Sequence, residues 1–188
     1  MAIVPIYVYG QPVLRKKAKP VKAITPALVT TVENMFETMR NAQGIGLAGN
    51  QVGLLERVIV IDISEMEEGQ EVPPLVLVNP EVVATEGSWV MEEGCLSIPE
   101  IRAEITRGET VTVRFTDLEG INREIEATGI LGRVLLHEID HLNGILFVDH
   151  LETAEQKTLR GRLNKISRGE TETPYPISVP TLTTPESR

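Results

Sequence analysis

Hydrophobic residues recur at helical spacing in three stretches of the chain. In the first, Thr25 is a favoured cap residue and Pro26 a favoured first helical residue, and apolar positions follow at intervals of three and four until about Asn41. Residues 129–142 are almost all apolar, which indicates a helix in the interior. Residues 153–166 form a weaker amphipathic pattern. We therefore expect three helices, of which the second is buried.

Segments between these helices are β-branched or alternate between apolar and polar residues, as strands do. An Asn79-Pro80 step is expected to separate two of them, residues 117–120 form a hairpin turn, and residues 66–70 form a polar loop. The predicted strands are residues 57–63, 72–79, 81–90, 110–116 and 121–127. Together the elements predict an α+β fold, with antiparallel strands packed around the central buried helix and a further helix near the C-terminus.

The chain has 188 residues, which suits one domain with a sizeable core. We assign residues 1–168 to a single catalytic domain, given the candidate chemistry below. From residue 169 the sequence becomes rich in proline and threonine and offers little to bury, so residues 169–188 are expected to be a disordered tail.

Net charge is −9, which argues against DNA or RNA as a principal ligand. A local exception is residues 156–169, where five basic residues occur and no acidic one. Apolar runs are too short to cross a membrane, and the N-terminus carries its basic residues after its apolar ones, the reverse of a secretory signal. We expect a cytoplasmic protein.

The candidate chemistry centres on the sequence HEIDH, residues 137–141, in the predicted buried helix. His137 and His141 are four residues apart, so both rings can reach one metal ion, and Glu138 is placed to reach a water molecule beside it. The alternative is two ordinary histidines on a helix. Burial favours the metal site, because ionisable groups on an apolar helix require partners.

A catalytic metal site needs a third protein ligand. The extended metalloprotease pattern would require histidine at position 147, which is Phe147. Glu152 or Glu155 would fit a peptidase of the thermolysin type. Cys95 is the single cysteine of the chain and lies in the sequence EGCLS, although a lone cysteine is more often a small buried apolar residue.

A glycine-rich segment, GIGLAGNQ at residues 44–51, contains the letters of a dinucleotide-binding motif. That motif follows a strand and opens a helix. Here a predicted helix precedes it and a strand follows it within a few residues, so we do not assign a dinucleotide site.

Together, GIGLAGNQ at 44–51, EGCLS at 93–97 and HEIDH at 137–141 resemble the three motifs of the peptide deformylase family. One departure is Gly49, where the family usually has alanine; the smaller residue is expected to make the loop more flexible. The resemblance extends from residue 10 to about residue 150. The C-terminal tail lies outside it.

This resemblance implies an enzyme that removes the formyl group from the N-terminal methionine of newly made polypeptides and releases formate. It implies that Cys95, His137 and His141 bind one divalent metal, and that Glu138 acts as general base and then acid when water attacks the formyl carbonyl. The side chain of Gln51 and the backbone N–H that follows the cysteine would stabilise the developing negative charge. The chemistry of the ligand set suits zinc and iron(II) about equally. Family resemblance favours Fe²⁺ in the cell, with Zn²⁺, Ni²⁺ or Co²⁺ able to replace it.

Substrate contacts are expected on apolar and glycine residues near these motifs. An apolar pocket for the methionine side chain would be lined by residues that could equally be ordinary core, and the two glycines would let a substrate strand dock. An arginine matches a family position near the cleft but could be a plain surface residue. The candidates are Ile45, Gly46, Gly94, Arg102, Ile130 and Val134, with Leu96 supplying the backbone N–H.

Other expectations concern partners. A formyl-methionine nascent peptide is the expected substrate, and residues 156–169 are a candidate for transient contact with the ribosome. We expect no DNA and no membrane as partner, and a monomer. Asp140 is expected to orient a group beside the metal ligands, and His150 is assigned no role.

Overall fold

The computed structural model describes residues 2–179 of the chain. Within this range there are three α-helices, α1 Pro26–Asn41, α2 Gly129–Leu142 and α3 Thr153–Ser167, as predicted. The start of α1 is fixed as the sequence suggests, because the Thr25 hydroxyl accepts a hydrogen bond from the backbone N–H of Leu28 at 3.2 Å.

Strands form three separate sheets in the described part of the chain. In chain order the strands are β1 Ile6–Tyr7, β2 Gly46–Ala48, β3 Val58–Ile61, β4 Leu75–Glu86, β5 Trp89–Cys95, β6 Ile98–Arg107, β7 Thr110–Thr116, β8 Asn122–Ala127 and β9 Ile177–Ser178. Five of them make an antiparallel sheet in the order β2-β3-β4-β7-β8, β5 and β6 form a hairpin, and β1 pairs with β9 in parallel. The α+β class with antiparallel sheets is thus confirmed.

Two strand predictions were wrong in detail. Asn79-Pro80 does not end a strand: β4 runs through it, with a shift of register between Val78 and Glu81 that absorbs the proline. The strand predicted for 81–90 ends at Glu86, and Gly87, at φ 69°, turns the chain into the next strand. The β5–β6 hairpin was not predicted: β5 carries two adjacent glutamates and a glycine, and the apolar–polar alternation of residues 101–106 in β6 was overlooked.

Residues 170–179 also differ from the expectation of a disordered tail. Ile177–Ser178 forms β9 beside β1, and backbone hydrogen bonds join Ile6 N to Pro176 O at 3.0 Å and Val8 N to Ser178 O at 3.3 Å. The short edge strand β1 therefore offers a backbone partner that the sequence pattern did not reveal. The remainder of the predicted tail, residues 180–188, lies outside the described residues.

Strand β3 shows how the core holds the site in place. Ile59 and Ile61 belong to the apolar cluster that contains α2, whereas Val58 and Val60 belong to the cluster that contains α1. A helix covers each face of the sheet, which explains why the VIVI segment is apolar without alternation.

Nowhere in residues 2–179 is a helix both long and apolar enough to cross a bilayer.

Candidate active site

The α2 helix brings the residues of the HEIDH motif to one place. The rings of His137 and His141 have centroids 5.0 Å apart, and Cys95 Sγ lies 3.2 Å from His141 Nε2. One ligand atom from each of Cys95, His137 and His141 lies within 4.8 Å of the others. The structure therefore joins the helix motif to the EGCLS motif, and it is the cysteine, not Glu152 or Glu155, that completes this cluster of possible ligands.

The glycine-rich motif reaches the same cluster through Gln51. Its Oε1 accepts a hydrogen bond from Ala48 N at 2.8 Å, which fixes the amide, and its Nε2 donates to Ser97 Oγ at 3.2 Å and lies 3.6 Å from Cys95 Sγ. Gln51 is 1% exposed. All three motifs thus meet around one thiol, although they are separated along the chain.

Leu96 and Ser97 form the two-residue turn that connects β5 to β6. Among residues 2–179, no backbone or side-chain group accepts a hydrogen bond from the Leu96 N–H. A free N–H next to the cysteine is available for an oxygen of a ligand.

Glu138 lies beside this cluster and is 4% exposed. Its Oε2 has no hydrogen-bond partner in the described part of the chain. Burial raises the pKa of Glu138 to about 7. Gly46 approaches this carboxylate so closely that a Cβ at that position would lie 2.5 Å from Glu138 Oε1 and 2.8 Å from Val134 Cγ1. Glycine is therefore the residue that leaves room for the carboxylate.

Glu93 is a residue whose importance the sequence reasoning missed. Its Oε2 is 2.9 Å from His137 Nδ1, Arg107 donates to its two oxygens at 2.6 and 3.1 Å, and Arg133 Nη1 donates at 2.9 Å. Burial alone would raise the pKa of Glu93, but the hydrogen bonds from His137 and Arg107 outweigh it and hold the pKa well below its usual value. Glu93 thus fixes the His137 ring and leaves the Nε2 nitrogen for the cluster.

Asp140 and His150 extend this network outward. Asp140 Oδ2 accepts from Arg107 Nη1 at 2.6 Å and lies 2.7 Å from His150 Nε2. Asp140 therefore orients Arg107, which in turn holds Glu93. His150, which was assigned no role, lies at the outer end of this chain of contacts. Charged residues within apolar or alternating segments, such as Arg107 and Arg133, were the available sequence signal.

The two histidines of the cluster have different electrostatic environments. Burial lowers the pKa of His141 well below its usual value, so its ring is neutral. Burial opposes charge on His137 too, but hydrogen bonds with Cys95 and Glu93 outweigh it and raise the pKa of that ring well above the usual value. A neutral imidazole such as that of His141 is the form in which histidine binds a metal ion.

A cleft of about 680 Å³ opens over the cluster. Its lining contains every predicted site residue except His141, which lies behind it in the ligand cluster. Those residues are Ile45, Gly46, Gln51, Gly94, Cys95, Leu96, Arg102, Ile130, Val134, His137 and Glu138. Arg102 is an exposed rim residue 3.4 Å from Glu92. Residues 172–175 also line the cleft, and no sequence pattern predicted this.

Gly49 has a packing reason for its identity. It is buried, and a Cβ there would lie 2.8 Å from the carbonyl oxygens of both Leu54 and Glu56. Leu54 N also donates to Gly49 O at 2.9 Å. The glycine is thus held in a tight backbone turn, and the expected gain in loop flexibility has no support in this packing.

These features of the site indicate the class of protein. A buried carboxylate next to a cluster of one thiol and two imidazoles, at the base of an open cleft, is typical of metal-dependent hydrolases.

Comparison with known proteins identifies the family within that class. A family model described as polypeptide deformylase matches residues 3–157. The peptide deformylase of Salinibacter ruber is 47% identical over 183 residues, which cover 93% of this chain and 94% of that protein. A crystal structure of a peptide deformylase from Legionella pneumophila is 42% identical with a TM-score of 0.81, covering 90% of this chain and 98% of that one. Another, from Synechococcus elongatus in complex with actinonin, is 41% identical with a TM-score of 0.75, covering 87% and 83%. This chain belongs to the peptide deformylase family and is a hydrolase, which confirms the resemblance drawn from the three motifs.

Proposed function

We propose that this chain removes the N-formyl group from the N-terminal methionine of newly synthesised polypeptides and releases formate. The observation that carries the proposal is the buried Glu138 carboxylate next to the Cys95, His137 and His141 cluster. Membership of the peptide deformylase family supports the choice of substrate.

The cluster is suited to one divalent metal ion. Its ligand atoms lie within 4.8 Å of one another, and Glu93 holds the far nitrogen of His137 at 2.9 Å. One sulfur and two nitrogen donors suit Fe²⁺ and Zn²⁺. We take Fe²⁺ as the metal in the cell, with Zn²⁺, Ni²⁺ or Co²⁺ as substitutes. A cation held there would lower the pKa of a water molecule and polarise the formyl carbonyl.

Residues of the chain would carry the proton transfers and the charge stabilisation. Glu138 accepts the proton of the attacking water and then delivers a proton to the leaving amine. The Gln51 amide and the Leu96 N–H donate hydrogen bonds to the formyl oxygen as negative charge develops on it. Gln51 Nε2 donates to Ser97 Oγ at 3.2 Å in the structure. To act on the substrate it would donate to the formyl oxygen, either in place of Ser97 Oγ or through its second N–H.

The peptide would lie along the cleft as an added strand. Strand β2 is at the edge of its sheet, so its outer side offers backbone groups to an extended peptide, with Gly46 and Gly94 leaving room for it. Ile45, Ile130 and Val134 supply apolar surface for the methionine side chain, and Arg102 lies at the rim.

A direct test is anaerobic purification with metal analysis, followed by formate release from a formyl-Met peptide. The wild-type enzyme should release formate from the formyl peptide and leave the matched acetyl peptide intact. Cys95→Ser should lower the bound metal at least about tenfold, because the thiolate is one of three ligands. Full metal content in Cys95→Ser would favour a peptidase of the thermolysin type, and a wild-type enzyme that releases no formate would reject the function.

Helix α3 is the candidate surface for contact with the ribosome, where nascent chains appear. Lys157, Arg160 and Lys165 are exposed and, among residues 2–179, pair with no carboxylate within 4.0 Å. Arg162 is less available, because it donates to the Glu100 carbonyl. A monomeric protein acting in the cytoplasm fits this role.

Reversing the three charges at Lys157, Arg160 and Lys165 to glutamate should weaken co-sedimentation with ribosomes severalfold, and more so at low salt. Formate release from a free peptide should stay unchanged, because none of the three residues lines the cleft. Unchanged co-sedimentation would remove α3 as the docking surface.

A further inference from the structure

Residues 170–179, which we name the C-terminal arm, return to the active-site cleft although they follow the segment 3–157 that defines the family. The arm is held by β9, which pairs with β1 through Ile6↔Ile177 and Tyr7↔Ser178. Residues 172–175 then form part of the cleft lining. The arm is therefore placed against the site by backbone hydrogen bonds rather than by loose contact.

Tyr175 joins the arm to the turn that carries Leu96. Its hydroxyl donates to the Leu96 carbonyl oxygen at 2.9 Å, and its half-buried ring packs on the same apolar cluster as the Leu96 side chain. The other carbonyl of the turn, that of Ser97, accepts from Tyr9 N at 2.8 Å. Both carbonyl groups of the turn are thus held by the two terminal segments, and those segments are paired with each other.

We propose that Tyr175 is a positioning residue, which fixes the Cys95–Ile98 turn so that the Leu96 N–H points into the cleft. The inference rests on the proposed function, in which this N–H donates to the formyl oxygen.

The physical reason is the shortness of the turn. A two-residue turn has few torsions, so the Leu96 carbonyl and the N–H on the preceding peptide group move together when the turn rotates. A hydrogen bond to the carbonyl therefore restricts the N–H direction. Charge stabilisation depends on donors that are oriented before the reaction, so loss of this restraint should affect the transition state more than substrate binding.

The test is Tyr175→Phe, which removes the hydroxyl and keeps the ring. We expect kcat for formate release to fall about five- to tenfold with KM within about twofold, the scale of one hydrogen bond. Tyr7→Phe is the matched control: Tyr7 lies on β1 opposite the arm, and its hydroxyl has no hydrogen-bond partner among residues 2–179. Its kcat should equal that of the wild type. Each rate is divided by the folded fraction of that variant at the assay temperature, which its thermal unfolding curve gives.

The outcomes are separable. Wild-type kcat in Tyr175→Phe, or a rise in KM alone, would overturn the positioning role and leave the arm as a wall of the cleft. A wild-type enzyme without formate release would instead reject the proposed function on which the inference depends. A fall in kcat confined to Tyr175→Phe would support it.

Discussion

Glu138→Gln is expected to lower kcat for formate release by roughly 10²–10⁴-fold, the usual contribution of a general base and acid. The amide has the shape of the carboxylate but cannot accept the proton of the attacking water. Glu138 is not one of the three clustered ligands, so bound metal should equal that of the wild type. The unfolding midpoint should not fall, because Glu138 is 4% exposed with an unpaired Oε2, and a neutral amide is cheaper to bury than a charge.

Glu126→Gln is a matched control, since it removes the same charge from an exposed position on β8. It should leave kcat, KM and metal content unchanged. Formate release by Glu138→Gln within tenfold of the wild type, at full metal content, would show that the proton passes through another group. Loss of metal together with activity would instead place Glu138 among the ligands.

The helical parts of the fold were predictable from sequence because their signals are local. Thr25-Pro26 marks the start of α1, and the apolar run of α2 reports its position between sheet and hairpin. The β5–β6 hairpin and the strand β9 were not predicted. Strand β9 has only two residues and depends on pairing with β1, and β5 carries two adjacent glutamates and a glycine that interrupt its pattern. Residues 101–106 of β6 do alternate between apolar and polar residues, a signal that was overlooked.

The residues of the candidate site likewise divide into those that a local sequence signal predicts and those that it does not. His137 and His141 are four residues apart on one helix, so their proximity follows from helix geometry. Only family resemblance predicted that Cys95 and Gln51 join them. Gln51 is 44 positions from Cys95, and Cys95 is 46 positions from His141, and no spacing rule connects residues so far apart. The Glu93–Arg107–Asp140 network was missed for a similar reason. Asp140 was expected to orient a neighbouring group, but the sequence did not identify that group as Arg107, and Glu93 and Arg107 meet only when β5 pairs with β6.

Glu93→Gln is expected to have the second large effect, on stability and on metal binding together. Glu93 is 5% exposed and meets Arg107, Arg133 and His137. Glutamine has the same shape, but its NH₂ group would face donors; among residues 2–179 the buried Arg133 would lose its carboxylate partner, and Arg107 would keep only Asp140. Breaking a buried ion pair from one side costs roughly 3–5 kcal/mol. Guanidinium chloride unfolding of the metal-free protein measures this loss without the contribution of the metal.

Metal affinity should fall about 10- to 100-fold in the same variant, because the His137 ring loses the partner that orients it. A competition titration with a chelator would measure this change.

Glu92→Gln is the matched control at the neighbouring position. Glu92 is exposed, and its ion pair with the exposed Arg102 is long, at 3.4 Å, so the free energy of unfolding should change by less than about 0.5 kcal/mol. Equal stabilities for the two variants would mean that Arg107 is held by Asp140 alone. A stability loss with unaltered metal affinity would mean that Glu93 supports the fold but does not orient His137.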